Sequence, residues 1–171
     1  IVPFPDNQIL TRKAPIVVLA VKPQQMREVL KGIHVLVGKR PLLITIAAGL
    51  DIAFYKKALS TQIRIIRVMP NAPAMIGEGA SALYAGPGVS DADKESALKI
   101  FSAAGLALFV PEEEWLDVVT AVSGSGPAFV YAFIDALTKA AQKWKLPESI
   151  ALPLVLQTLV GAAKMVEKST E

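Results

Sequence analysis

The sequence predicts an α/β fold in which a doubly wound sheet of parallel strands is followed by an all-helical region. In the first part of the chain, short β-branched runs alternate with helical segments, which implies right-handed crossovers between parallel strands. Later in the chain, apolar residues recur every three or four positions, which is the period of a helix. We therefore place one domain at residues 1–111 and a helical one at residues 112–171.

Three apolar runs predict the first strands of the sheet. These runs are residues 16–21, 42–47 and 63–69. The first run has no polar alternation, so its strand is expected to be covered on both faces. Pro23 opens a helix after the first run, and Asp51 can cap the helix after the second. If the strands are parallel, the turns that follow them meet at one edge, where such sheets bind ligands. These turns offer mainly backbone groups, which suits a cofactor that brings its own reactivity.

Two further strands and one helix complete the first domain. Residues 79–85 and 106–110 are predicted to be strands. Between them, Ser90 and Asp93 resemble a capping box, and the helix that they open ends near Gly105.

The segment that joins the two domains combines an acidic cluster with a glycine-rich break. Three glutamates at residues 112–114 open a helix, and Ser-Gly-Ser-Gly-Pro at residues 123–127 interrupts it. Glycine has no Cβ, so a backbone or ligand can approach closely, and proline fits the first turn of the next helix. The free N–H groups of that turn can bind a carboxylate or phosphate. From spacing alone, a packing kink and an anion site both remain open.

The two terminal helices carry more apolar surface than a small domain can bury. The positions that recur at helical spacing are Phe129, Phe133, Leu137, Trp144, Leu152, Leu156, Leu159 and Val166. We expect a partner subunit to cover them, the alternative being one compact monomeric bundle.

Composition excludes several classes of function. Of 171 residues, 53% are apolar and 19% are charged, and the net charge of +3 is spread without basic runs, so nucleic-acid binding is not expected. The absence of cysteine excludes disulfides and thiolate chemistry, and the single histidine, His34, excludes histidine-rich metal clusters. The apolar run at residues 150–160 is shorter than the ~20 residues of a membrane span. We expect a soluble protein with no metal and no membrane association.

Five motifs, in their order and spacing, resemble those of pyrroline-5-carboxylate reductase. They are Ala-Val-Lys-Pro at residues 20–23, Ala-Ala-Gly at 47–49, Arg-Val-Met-Pro-Asn-Ala-Pro at 67–73, the segment 117–128 that contains Ser-Gly-Ser-Gly-Pro, and Gly-Ala-Ala-Lys-Met at 161–165. Each motif is weak alone, but five in register span nearly the whole chain. The resemblance implies a partial Rossmann-type dinucleotide-binding domain and an all-helical domain that interlocks two subunits. A homodimer is implied, and a higher oligomer of dimers stays open.

The activity that the resemblance implies is reduction of 1-pyrroline-5-carboxylate to L-proline by NADPH or NADH. This reaction is the last step of proline biosynthesis, and it implies a cytoplasmic oxidoreductase, or a mitochondrial one in a eukaryote. One alternative is a hydroxyacid or 6-phosphogluconate-type dehydrogenase. That class would use a lysine on the helix after the junction, and Lys139 and Lys143 come too late. A second alternative is that this chain alone is an inactive dimerisation module.

Site residues follow from the resemblance, position by position. Asn7 is expected on the adenosine side of the cofactor. The other residues expected to line the dinucleotide are Ala20, Val21, Lys22, Pro23, Ile46, Ala47 and Ala48, with Met69, Pro70 and Asn71 beside the nicotinamide. The expected substrate region contains Glu113, Ser123, Gly124, Ser125 and Gly126. No residue of the chain is assigned as catalytic with certainty.

Three of these residues also have ordinary structural interpretations. Asn7 could form a turn with the Pro-Asp that precedes it. Glu113 could be a first-turn acid that stabilises its own helix, and Lys22 could be a solvated cap residue.

Two segments of the family are absent from the sequence. Members of the family begin with a strand and a Gly-x-Gly-x-x-Gly-type turn that holds the pyrophosphate. They also continue into a Ser/Thr-Pro-Gly-Gly-Thr segment that holds the substrate. We therefore expect the sequence to be a fragment, and the residues that decide between NADPH and NADH to lie upstream of Ile1.

Overall fold

The computed structural model describes residues 2–3, 6–33, 41–59 and 62–169, and His34 lies outside these ranges. The chain divides into two compact units, residues 1–125 and 126–171.

Among the described residues, five strands form one sheet in the first unit. They are β1 (Ile16–Leu19), β2 (Leu42–Thr45), β3 (Arg64–Met69), β4 (Gly79–Ala85) and β5 (Gly105–Phe109). The helices of this unit are α1 (Asn7–Lys13), α2 (Pro23–Gly32), α3 (Ile52–Ala58), α4 (Asp91–Ser102) and α5 (Trp115–Val119), with a 3₁₀ turn at Ala72–Ile76 and a π turn at Thr120–Gly124. The second unit contains α6 (Gly126–Lys143) and α7 (Glu148–Lys168).

The sheet has the strand order β1-β2-β3-β4-β5, and its first three strands are parallel as predicted. Leu19 lies opposite Thr45, which lies opposite Arg67, so the carboxyl ends of β1, β2 and β3 share one edge. In contrast, β4 is antiparallel to β3, and β5 is parallel to β4. The connection from β3 to β4 is only a 3₁₀ turn, which is too short for the crossover that a parallel neighbour needs.

Helices cover both faces of the sheet, which confirms the α/β class. On one face, α2 and α3 bury Met26, Leu30 and Tyr55 against β1 to β3. On the other face, Ala97 of α4 packs with Ile66 and residues of β2 and β4. Every residue of β2 is buried. In β1, which was predicted to be covered on both faces, Val18 is 44% exposed, because the described residues fully cover only one face of that strand.

The predicted helix starts are confirmed in the first unit. Pro23 begins α2, and the Asp51 carboxylate accepts a 2.7 Å hydrogen bond from Phe54 N at the start of α3. Ser90 and Asp93 form the capping box of α4. Burial by itself would raise the pKa of Asp93, but hydrogen bonds from Ser90 and the charge of Arg64 hold that pKa below its ordinary value.

The predicted boundary between domains, after Pro111, stays a prediction. The last strand ends at Phe109, just before that boundary. The division into compact units falls later, after Ser125, because α5 packs against β3 and β4.

The helices of the second unit pack against each other and leave much apolar surface exposed. Phe129 is 69% exposed, Phe133 52% and Trp144 89%. By length and composition alone, the described stretches Trp115–Lys143 and Glu148–Lys168 are also long and apolar enough to cross a membrane. A helix that is apolar on most sides is buried either in protein or in a bilayer. The absence of membrane association therefore stays a prediction.

Gly105 begins β5 opposite Gly79 of β4, and both positions require glycine. The φ angle of Gly105 is +132°, and a Cβ there would collide with the Gly79 backbone. We expect Gly105→Ala to lower the free energy of unfolding by about 1–3 kcal/mol, measured by denaturant titration. The control is Gly32→Ala at the end of α2, where a Cβ would meet no described atom within 4 Å. Equal losses in the two variants would contradict the prediction.

Candidate functional site

The carboxyl edge of β1, β2 and β3 brings three small-residue turns together. Residues 20–23 follow β1, residues 46–49 follow β2, and residues 70–71 follow β3. Lys22 is exposed and precedes α2 without capping it through its side chain, so its interpretation as a solvated residue is consistent with the structure. Ala48 is exposed and Gly49 has a φ of +73°, so a ligand can approach the backbone closely at this turn.

A buried polar cluster lies where β2 and β3 approach this edge. The hydroxyl groups of Thr45 and Tyr55 are 2.7 Å apart and hydrogen-bonded. Thr45 is paired in register with Arg67, whose Nη1 donates a 2.7 Å hydrogen bond to Glu113 Oε1. Burial raises the pKa of Tyr55, although the hydrogen bond to Thr45 and the charge of Arg67 oppose that rise. Tyr55 therefore stays a neutral hydroxyl at physiological pH.

Glu113 stabilises a helix other than the one that it precedes. Its Oε1 atom accepts a second hydrogen bond, 2.7 Å long, from the backbone N–H of Ile52 at the start of α3. The N-cap of α5 is Glu114, so the interpretation of Glu113 as a first-turn acid of its own helix is wrong. Among the described residues, no hydrogen bond reaches Glu113 Oε2.

Asn71 connects the turn after β3 to the predicted substrate segment. Its Nδ2 donates to the backbone oxygen and to Oγ of Ser123, both at 3.3 Å. Its Oδ1 accepts a 2.8 Å hydrogen bond from Ala80 N. Close by, Gly124 has no side chain and so leaves room for the Met69 side chain, whose Cε a Cβ at Gly124 would meet. The structure thus joins residues predicted for the cofactor and for the substrate.

The predicted glycine-rich break takes the form of a π turn. Ser125 N donates to Thr120 O at 2.8 Å, one residue further back than in an α-helix. Single π turns within helical segments are frequent at functional sites. Gly126 then begins α6 in the second unit, and Pro127 occupies the first turn as predicted.

In the described part of the chain, no hydrogen bond joins Asn7 to the other predicted residues. It is exposed at the start of α1, and Asp6 caps that helix by accepting a 2.7 Å hydrogen bond from Gln8 N. The interpretation of Asn7 as a turn former is therefore wrong. Its place beside the adenosine stays a prediction.

Sequence reasoning missed the role of Arg67. Its signal was a charged residue within a largely apolar run predicted to be a strand. An open pocket of about 350 Å³ adjoins its side chain; the residues that line it are Gly49, Leu50, Asp51, Phe54, Arg67 and Asp117.

The fold and the shared edge define the class of the first unit. Parallel strands, helices on both faces and small-residue turns at the carboxyl edge are the features of a Rossmann-type dinucleotide-binding domain.

Comparisons with known proteins agree with the resemblance seen in the sequence. A family model described as pyrroline-5-carboxylate reductase dimerisation matches residues 113–171. A pyrroline-5-carboxylate reductase of Methanosarcina acetivorans is 42% identical over 160 residues, which are 94% of this chain and 59% of the relative.

Solved structures agree with this match. A pyrroline-5-carboxylate reductase from Coxiella burnetii is 34% identical with a TM-score of 0.91. The Plasmodium falciparum pyrroline carboxylate reductase with NADP bound is 36% identical, also with a TM-score of 0.91. Both comparisons cover 98% of this chain and 63% of the solved chain. The chain is therefore similar to pyrroline-5-carboxylate reductases over nearly its whole length, and it spans about 60% of the length of these relatives.

Asn71→Asp tests the link between the two groups of predicted residues. The carboxylate keeps an acceptor for Ala80 N but cannot donate to Ser123, and its charge faces a carbonyl oxygen. We expect the free energy of unfolding to fall by about 1–3 kcal/mol in denaturant titrations. Gln142→Glu is the matched control, because the exposed Gln142 amide contacts Glu148 at 3.0 Å in the second unit. A larger loss in the control would contradict the prediction.

Proposed function

We propose that the whole protein reduces 1-pyrroline-5-carboxylate to L-proline with NADPH or NADH, as the last step of proline biosynthesis. The observation that carries this proposal is the hydrogen bonding of Asn71, beside the expected nicotinamide position, to Ser123 of the expected substrate segment. The reductase names of the relatives support it, and the Plasmodium enzyme was solved with NADP bound. No observation favours the hydroxyacid or 6-phosphogluconate-type alternative.

The carboxyl edge suits a dinucleotide because its turns present small exposed residues, such as Ala20 and Ala48. The segments that would hold the cofactor are residues 20–23, 46–48 and 69–71, with Asn7 on the adenosine side. When bound, the cofactor supplies a hydride to the imine carbon of the substrate. The task of the chain is then to position the imine acid, exclude water and favour the protonated ring nitrogen.

Glu113 and the segment Ser123 to Gly126 are the groups proposed to receive the substrate. Glu113 presents Oε2 as a hydrogen-bond acceptor, and a carboxylate beside the ring nitrogen favours its protonated form. Gly124 and Gly126 allow close approach because they have no Cβ. Positioning and electrostatics of this kind need neither a nucleophile nor a metal.

The test is an NADPH-oxidation assay with the purified whole protein. We expect oxidation that depends on 1-pyrroline-5-carboxylate and forms an equal amount of proline. Two results would overturn the proposed function. One is that the imine causes no oxidation of NADPH, and the other is that the protein only oxidises a hydroxyacid while reducing NADP.

Gly126→Val tests the substrate segment in the whole enzyme. We expect the KM for the imine acid to rise about tenfold, equivalent to about 1.4 kcal/mol, while the KM for NADPH changes much less. A Cβ at Gly126 meets no described atom within 4 Å, so Gly126→Ala is a control that should fold normally. Unchanged kinetics in the valine variant would assign the break to packing alone.

We also propose that residues 113–171 join two copies of the protein, in the cytoplasm or in the mitochondrion of a eukaryote. The description of the family model supports dimerisation, and so do the exposed aromatic side chains of α6. Burial of apolar area stabilises such an interface by ~25 cal/mol per Å². A higher oligomer of dimers and the absence of membrane association belong to the same proposal.

Two experiments test the interface between the copies: dilution of the protein, and introduction of a charged side chain on α6. We expect the melting temperature to fall on dilution, because unfolding of an obligate dimer depends on protein concentration. Phe133→Asp should give aggregated or poorly folded monomer, since it places an unpaired charge in the interface. Gln142→Glu on the same helix should leave assembly unchanged. A well-folded monomer at micromolar concentration, with a melting temperature independent of dilution, would contradict the dimer.

A further inference from the structure

Arg67 is a charged residue at a position where the sheet otherwise buries apolar side chains. Its neighbours Ile66 and Val68 are 0% and 3% exposed. The Arg67 side chain itself is only 8% exposed, and its guanidinium pairs with Glu113 at 2.7 Å. A buried cation is costly unless it is paired and hydrogen-bonded, so the position of Arg67 depends on Glu113.

The pairing uses one oxygen of the Glu113 carboxylate. Oε1 accepts from Arg67 Nη1 and from Ile52 N, both at 2.7 Å. Two donors from different elements, β3 and the start of α3, fix both the position and the rotation of the carboxylate. Within the described residues, Oε2 is left as an acceptor, and the Glu113 side chain is 23% exposed.

We propose that Arg67 is a positioning residue for imine reduction. It holds Glu113 by Oε1 so that Oε2 accepts the N–H of the substrate's protonated ring nitrogen. This inference rests on the proposed function and assigns to Arg67 a role that acts only through Glu113. Arginine suits the role because it stays charged and its planar guanidinium holds a carboxylate in a defined orientation.

The test measures kinetics of Arg67→Met, Arg67→Lys, Glu113→Gln and the Arg67→Met/Glu113→Gln double variant in the whole enzyme. We expect Arg67→Met to raise the KM for the imine acid at least about tenfold and the KM for NADPH less than about twofold. Arg67→Lys should restore part of the imine-acid affinity. In the double variant, the KM should equal that of Glu113→Gln alone, because Arg67 acts through Glu113.

The matched control is Arg64→Met on the same strand. Arg64 pairs with Asp93 at 2.7 Å near the amino end of β3, away from the carboxyl edge. Its loss should lower the melting temperature and leave both KM values unchanged. This control separates an ion pair that stabilises the fold from one that positions a side chain.

Three outcomes would overturn the inference. The first is an unchanged imine-acid KM in Arg67→Met, or in Arg67→Lys if the methionine variant does not fold. The second is a double variant whose imine-acid KM rises by the product of the two single-variant fold-changes. The third is a parallel rise of both KM values with the loss of stability. An unaltered enzyme that does not reduce the imine would instead overturn the proposed function, and the inference with it.

Discussion

The partly buried ion pair of Arg67 and Glu113 is the interaction on which the carboxyl edge of the sheet depends. It joins the carboxyl half of β3 to the segment after β5, and the same carboxylate satisfies the first N–H of α3. Removing one partner of a buried pair typically costs about 3–5 kcal/mol, because the other charge is left without compensation. Packing of α5 against β3 and β4 adds to the same connection.

The pair also explains why the first compact unit extends beyond its last strand. Residues 112–114 change the periodicity of the sequence from strand to helix, which placed the predicted boundary after Pro111. Periodicity reports local conformation, whereas compactness reports tertiary contacts. Because Glu113 contacts β3 and α3, and Ser123 contacts Asn71, the acidic cluster and the π turn pack with the sheet. The compact unit accordingly ends only after Ser125.

Sequence patterns predicted those features that depend on residues close together in the sequence. The capping box at Ser90 and the break at residues 123–127 follow from side-chain size, backbone freedom and short-range hydrogen bonding. The parallel strands follow from the alternation of strands and helices along the chain. The partners of Glu113 could not be predicted, because they lie 46 and 61 residues away and are set by tertiary packing. The direction of β4 could have been inferred from its short connection to β3.

The two ends of β3 illustrate how one strand serves both folding and the candidate site. At its amino end, Arg64 pairs with Asp93, which is also part of the capping box, so that contact stabilises α4 on the sheet. At its carboxyl end, Arg67 and the following Asn71 each hold one part of the expected substrate region. β3 is the central strand of the sheet and is hydrogen-bonded to a neighbour on each side. Residues at its carboxyl end can therefore fix Glu113 and Ser123 relative to the edge where the cofactor is expected, although the three segments are far apart in sequence.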